Sequence, residues 1–442
     1  MIENKKIYIL GMARSGFEVA KLLSNYNNTI VISDAKEQKE EQVLELKKLG
    51  VEVIITNEQD KILDSSFDLV IKNPGIKYDN PSVLKARELN IPVINELEAS
   101  YSFLNKNTKI IGVTGSNGKT TTVTLIYNFL IKDNKSAYLG GNIGIPLSNF
   151  VRDIKDDDIL VLEISDHQLC DMYEFKTNIS VLLNIYKAHI DFHDSFERYQ
   201  MMKKRIFNNH TDSDIAIINN DNELCINLTN DINSQKYYFS TKENLSAYIK
   251  DNAIYFNEEK IIDIEDIKIK GIHNIENIMA AIIAVKQFNV STDAIREVLM
   301  TFSGVEHRIE FVKEVNKVTY YNDSKATNCE ATITALKSFD KPTILIMGGL
   351  DRGHSFDELL PYMNHVKEVI CYGETKERIH EWTNKNNINC DVVNSLKEAT
   401  LKSYDIANDG DVVLLSPACA SWDQYPDFEV RGKEFKDIVN NL

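Results

Sequence analysis

Along the first hundred residues, short apolar runs alternate with stretches whose apolar positions recur three and four apart. "KIYIL", "TIVISD", "VEVIIT" and "FDLVIKNPG" read as strands, with "GMARSGFEVAKLLSNY" and "EQVLELKKLG" as the helices between them. This rhythm predicts a parallel, doubly wound sheet. "NELEASYSFLNKNTK" reads as a linking helix and a polar break, so a new domain starts near residue 100. Within it, "DILVLEISDHQL" is expected as a strand ending in Glu163 and "ISVLLNIYKAHID" as a strand running out toward His189. The Asn-rich span 212–268, with "KYYFS" and "AIYFN", predicts an antiparallel insert, and "GIHNIENIMAAIIAVKQF" a helix. A third unit begins around Gly304, where "VTYYNDSKATN", "PTILIMGGLDRG", "EVICYGE" and "DVVLLSPACASWD" supply strand-plus-loop pieces between helices.

One stretch carries recognisable chemistry. In "IIGVTGSNGKTTTV", Ile110 to Val123, an apolar run is followed by Gly115 and Gly118 and then by a helical pattern from Thr120. Strand, glycine loop and helix in that order aim backbone N–H groups and the positive end of a helix dipole at an anion. Lys119 adds a mobile charge, and the Thr120 hydroxyl is placed to hold Mg²⁺. The strict pattern G-x-x-x-x-G-K-[ST] wants glycine where Val113 stands. In the first domain, Gly11 to Gly16 lacks the middle glycine of a dinucleotide fingerprint, while Asp34 closes the second strand where a ribose-binding acid would sit. That half-fingerprint suits a nucleotide-like ligand better than nicotinamide redox chemistry. The expected fold is therefore α/β in three domains: a Rossmann-like 1–99, a P-loop ATPase-like 100–304 with a mostly parallel sheet and small antiparallel insert, and a Rossmann-like 305–442.

Composition narrows the partners. The 442 residues carry 50 Lys plus Arg against 66 Asp plus Glu, a formal charge of −16, which argues against nucleic acid as the main partner. Six cysteines are scattered without a C-x-x-C pair, so neither a disulfide framework nor a zinc site is indicated and a reducing cytoplasm fits. No apolar run approaches the roughly 18 residues of a membrane span, so a soluble protein with no membrane partner is expected; the expected assembly, a monomer, does not follow from the sequence itself. His189 and His193 stand four apart, but Ile190 occupies the place of the glutamate in H-E-x-x-H, which removes metalloprotease chemistry.

Several separated segments resemble the Mur ligase family: "TGSNGKTTT", "GNIG" at Gly141 to Gly144, Leu162-Glu163, "HNIEN", "EHR", "NDSKATN", and "LSPACASWDQYPDFEVRG" from Leu415 to Gly432. They follow the family's order and span essentially the whole chain. The resemblance implies an ATP-dependent acid–amino-acid ligase that works through an acyl phosphate in peptidoglycan precursor synthesis. It implies a UDP-sugar domain, an ATPase domain and an amino-acid domain. The last segment is similar to one that holds D-glutamate, which makes UDP-N-acetylmuramoyl-L-alanine, D-glutamate and ATP the expected substrates.

The resemblance also assigns residues. Gly115, Ser116, Asn117, Gly118, Lys119, Thr120 and Thr121 would form the ATP loop, with Lys119 on the β- and γ-phosphates. Thr120 and Glu163 would hold one Mg²⁺, and His189 would help place a second. Lys203 matches a lysine that the family carbamylates, with Lys204 the competing choice; a carbamate offers carboxylate-like oxygens where an ammonium would repel the metal. Asn274, Asn277, Arg308 and Asp323 resemble adenine, phosphate and ribose contacts. Lys325, Thr327, Arg352, Ser421, Trp422 and Phe428 match D-glutamate positions, and Ser15, Asp34, Asn73 and Asn142 are candidates for the UDP-sugar. Two departures stand out: Ala188 before His189, where many relatives place an acid, and "SDHQL" from Ser165, where a serine- and aromatic-bearing version is expected. Rival readings are a related ligase adding L-alanine, a diamino acid or a folate glutamate tail, a non-catalytic nucleotide-binding regulator, and an NAD oxidoreductase.

Overall fold

The computed structural model describes residues 1–442, apart from the side chain of Asp191. The chain divides into two compact units, Met1–Thr301 and Phe302–Leu442. The first unit carries two sheets. Strands β1 (Lys6–Leu10), β2 (Thr29–Asp34), β3 (Glu52–Ile55), β4 (Leu69–Lys72) and β5 (Val93–Ile94) form an all-parallel sheet in the order β3-β2-β1-β4-β5. Ile7, Tyr8, Ile9 and Leu10 are all fully buried. A parallel strand covered on both faces cannot alternate polar and apolar positions, which is why "IYIL" is unbroken.

The second sheet has nine strands: β6 (Lys109–Thr114), β7 (Ala137–Gly141), β8 (Ile159–Glu163), β9 (Ile179–Leu182), β10 (Ile215–Asn219), β11 (Gln235–Ser240), β12 (Ala247–Lys250), β13 (Ala253–Phe256) and β14 (Glu259–Asp263). Their order is β14-β13-β12-β11-β10-β9-β6-β8-β7. The expected antiparallel insert over 212–268 is smaller than its sequence suggested. β10, β11 and β12 continue the sheet in parallel, and only β12–β13–β14 pair antiparallel. The half-buried, polar-interrupted runs of an edge region resemble a hairpin in sequence whichever way they pair.

In the second unit, β15 (Glu310–Val315), β16 (Val318–Asn322), β17 (Thr343–Gly348), β18 (Val366–Tyr372), β19 (Cys390–Val392) and β20 (Val412–Leu415) run in the order β15-β16-β20-β17-β18-β19. β15 is antiparallel to β16, a short polar edge added to an otherwise parallel sheet. The architecture is thus α/β with mostly parallel sheets throughout. No described helix is long and apolar enough to cross a membrane.

Register decides where chemistry collects. β6 lies between β8 and β9, with Val113 opposite Glu163 and Thr114 opposite Leu182. The three strands therefore end level, and the loops that leave them share one edge, the crevice where parallel sheets bind ligands. In the same way β1 sits between β2 and β4, and β20 between β16 and β17.

Candidate active site

Val113 is the fully buried penultimate residue of β6, and the chain turns only at Gly115, whose φ is +154°. The position that the strict pattern reserves for glycine therefore belongs to the strand, where a β-branched side chain suits the core. The loop closes on Gly118, with φ +85°, directly before the helix Lys119–Lys132. A Cβ on Gly118 would collide with Asn277 Oδ1, so the helix Ile272–Lys286 presses its amide against the loop.

The loop is also tied to the segment after β9. Ser116 N donates to Asn184 O and Asn117 N to Asn184 Oδ1, both at 2.9 Å, and Ser116 Oγ lies 2.7 Å from the Tyr199 hydroxyl. Lys119 Nζ curls back to donate to Gly115 O at 2.8 Å and Ser116 O at 2.9 Å, a position over the loop mouth. Thr120 is buried and donates to Glu163 Oε2 at 2.7 Å, while Asn142 Nδ2 donates to Glu163 Oε1 at 2.8 Å. A hydroxyl and a carboxylate in contact beside an anion loop are the hard oxygen donors that Mg²⁺ requires, so this pair fits the cation. Asn142, a candidate for the sugar, stands beside this carboxylate. Thr121 lies half-buried in the first turn of the helix, and Asn274 Nδ2 donates to Lys270 O at 2.8 Å.

A second polar cluster lies on the same edge. Lys203 is fully buried and donates from Nζ to Asp166 Oδ1 and Gly115 O, both at 3.0 Å. Lys204 points outward and pairs with exposed Asp231 at 2.7 Å, which separates the two adjacent lysines. His193 Nε2 stands 2.8 Å from Asp166 Oδ2; because a carboxylate only accepts, Nε2 carries the hydrogen. The Tyr78 hydroxyl, from the first sheet's side, lies 3.3 Å from His193 Nδ1. His167 Nδ1 is 3.3 Å from Asp166 Oδ2, and the rings of His167 and His189 meet edge to face at 4.9 Å.

Burial pushes Asp166 up, but the His193 hydrogen bond and then the Lys203 charge outweigh it and hold the carboxyl well below its usual range. Burial drives His167 down to about 4 against the pull of Asp166, so its imidazole is neutral at pH 7. Burial also draws Lys203 down, with Asp166 opposing. The strand expected to run toward His189 stops at Leu182; His189 sits seven residues beyond it in the left-handed region, φ +52°. Asp166, His167 and His193 were not among the residues read from sequence as functional. Their signal was present in "SDHQL" and in the His189–His193 spacing, but the groups converge only through the β8 and β9 loops.

Elsewhere in the first unit, Ser15 Oγ donates to Asn73 Oδ1 at 2.9 Å, bringing two sugar candidates together above β1 and β4. The Asp34 carboxylate already accepts from Met12 N and Lys36 N, at 2.8 and 2.9 Å. In the second unit, Asp323 is buried, with Ile309 N donating to Oδ1 at 3.2 Å and Ser416 Oγ to Oδ2 at 2.7 Å. Burial raises its carboxyl to about 7, while Ser416 and the nearby Arg308 charge oppose the rise. The Arg431 guanidinium is wholly buried and stitches Ser324 to the Cys419 carbonyl, fixing the loops after β16 and β20. Around them, Lys325 Nζ stands 5.7 Å over the Phe428 ring and exposed Arg352 lies 5.0 Å over Trp422; Thr327 is half-buried and Ser421 buried.

The chain belongs to the Mur ligase family, a class of ATP-dependent amide ligases. Residues 5–95 match the Mur ligase MurD-like N-terminal domain, 113–285 the Mur ligase middle domain and 307–419 the Mur ligase glutamate ligase domain. The UDP-N-acetylmuramoylalanine--D-glutamate ligase of Geobacillus kaustophilus is 44% identical over 445 residues, covering 100% of this chain and 98% of that one. The enzyme of the same name from Bacillus cereus strain AH820 is 40% identical over 444 residues, at 100% and 98% coverage. Among solved structures, the fold is similar to UDP-N-acetylmuramate-alanine ligase MurC from Thermotoga maritima, with TM-score 0.62, 20% identity and coverage of 99% and 100%. It is also similar to the Thermotoga maritima MurF ligase in complex with ADP, with TM-score 0.59, 19% identity and coverage of 95% and 97%.

Proposed function

We propose that this protein joins D-glutamate to UDP-N-acetylmuramoyl-L-alanine with cleavage of ATP, in the cytoplasm and as a monomer. The observation that carries the reading is the full-length relation to D-glutamate ligases at 40–44% identity. The site accounts for the chemistry. A carboxylate is anionic and resonance-stabilised, hence a poor electrophile. Its oxygen attacks the γ-phosphorus, the bond to ADP breaks, and the resulting acyl phosphate has lost that charge and gained a leaving group. The amine of D-glutamate then attacks the acyl carbon and inorganic phosphate departs, leaving an amide.

Each step asks for positioned positive charge. Gly115 to Thr121 receive the phosphates on backbone N–H groups, and Lys119 swings from the Gly115 and Ser116 carbonyls onto the β- and γ-phosphates. Bound divalent cations neutralise the charge that develops on the phosphoryl oxygens. Thr120 and Glu163 would hold one, and His189 with Lys203, as a carbamate, a second. Asn274 and Asn277 are assigned to adenine, Arg308 to phosphate and Asp323 to ribose. Lys325, Thr327, Arg352, Ser421, Trp422 and Phe428 are assigned to D-glutamate. Ser15, Asp34 and Asn73 are assigned to the UDP-sugar.

The test is phosphate release from ATP with UDP-N-acetylmuramoyl-L-alanine, supplied in turn with D-glutamate, L-glutamate, L-alanine and folate. Turnover should require D-glutamate. Release independent of any amino acid, or a preference for another acceptor, overturns the reading.

A further inference from the structure

Asp166 and His167 replace the residues expected from the family resemblance, and both face His189. One ligand atom from each of Asp166, His167 and His189 lies within 4.8 Å of the others. Two ligands bound about 2.1 Å from one metal stand about 3 to 3.4 Å apart when they are neighbours in its shell. The 3.3 Å between His167 Nδ1 and Asp166 Oδ2 matches that spacing. The carboxylate is also pre-aimed, because His193 fixes Oδ2 and Lys203 holds the other oxygen. Oδ2 keeps a second lone pair. The arrangement resembles a metal ligand oriented by its outer hydrogen bonds, which raise affinity by fixing the ligand beforehand. His189, in its left-handed turn, supplies the exposed ring through which an ion would enter.

We infer that Asp166, His167 and His189 together bind a divalent metal ion beside the phosphate loop through one oxygen and two imidazole nitrogens, making His167 a determinant of which metal the ligase takes. This inference rests on the proposed function and deepens it by adding Asp166 and His167 to His189 in the shell of its second cation. Nitrogen donors favour first-row transition ions over Mg²⁺, which prefers oxygen. The site therefore selects Mn²⁺ over Mg²⁺.

The experiment uses the full chain with Mn²⁺ alone and no nucleotide, followed by electron paramagnetic resonance, with pulsed measurement of ¹⁴N couplings. Bound Mn²⁺ should couple to two imidazole nitrogens. His167→Phe should remove one coupling and weaken binding at least tenfold, as should Asp166→Asn, and His167→Phe should abolish the preference over Mg²⁺. Glu163→Gln should leave this binding within twofold, because that acid serves the cation at Thr120. A spectrum of fully hydrated Mn²⁺, or bound Mn²⁺ without nitrogen coupling, overturns the inference on the unaltered protein, whatever the variants do. Such a result leaves D-glutamate-dependent phosphate release untouched, so the two readings fail separately.

Discussion

Buried charge governs individual residues in each of the two units. Asp323 is the sharpest case, with its carboxyl raised from an ordinary 3.8 to about 7 chiefly by burial. For an acid raised on folding, the folded state keeps a proton that the unfolded chain has lost, so stability falls as pH rises from about 4 to about 7 and is level above. Asp323→Asn removes that penalty. Its stability relative to the unaltered protein should rise by up to about 1.4 kcal/mol per pH unit across the window. Denaturant melts at pH 5 and pH 8 that gave the same difference would contradict the assignment. Lys203 offers a second residue-scale test. If its carbamate oxygens serve catalysis, Lys203→Ala should lose turnover and partly regain it with added short-chain carboxylic acids. No recovery at any concentration would leave Lys203 as the structural partner of Asp166.

At the scale of elements, the phosphate loop works because a strand, a tight turn and a helix are clamped by a neighbouring helix. Gly118 combines a left-handed backbone with a contact that leaves no room for a methyl group against Asn277. Gly118→Ala meets both obstacles, the backbone strain alone costing on the order of 1 kcal/mol. ATP affinity should drop more than tenfold, measured by calorimetric titration, with a modest fall in thermal midpoint. Unchanged nucleotide binding would mean that the loop is less tightly clamped than its packing indicates. The level ends of β6, β8 and β9 explain why the acid of one strand and the hydroxyl after another meet at 2.7 Å.

Across the first unit, the two sheets are joined by buried charge. Lys72, at the end of β4, pairs with Asp171 at 2.7 Å, and the lysine side chain is wholly buried. Burial pushes Asp171 up while Lys72 pulls it down, so removing the lysine strands a carboxylate away from water. Lys72→Ala should cost about 3–5 kcal/mol, whereas Lys72→Met combined with Asp171→Leu should recover most of it. Urea unfolding of the three proteins decides the matter. A single variant within about 1 kcal/mol of the parent would show the pair behaving like an exposed one. Arg14 Nη1 donating to Gly144 O at 2.7 Å and Asn95 Nδ2 to Gln168 O at 2.5 Å are further ties between the same two sheets.

Much of this protein is legible in its sequence alone. Unbroken apolar strands, helical spacings and a Gly-Lys-Thr turn are local, and local periodicity is enough to specify parallel α/β sheets and a phosphate loop. Glu163 was legible too, because a strand end in such a sheet is already a position in the crevice. Residues joined only by register and loop path were not. No spacing in the chain says that Asp166, His193 and Lys203 converge, that Lys203 turns inward while Lys204 turns out, or that β10 to β12 pair in parallel. Those facts depend on which strands become neighbours and on the desolvation that follows, and both are properties of the folded chain, with no counterpart in any short stretch of it.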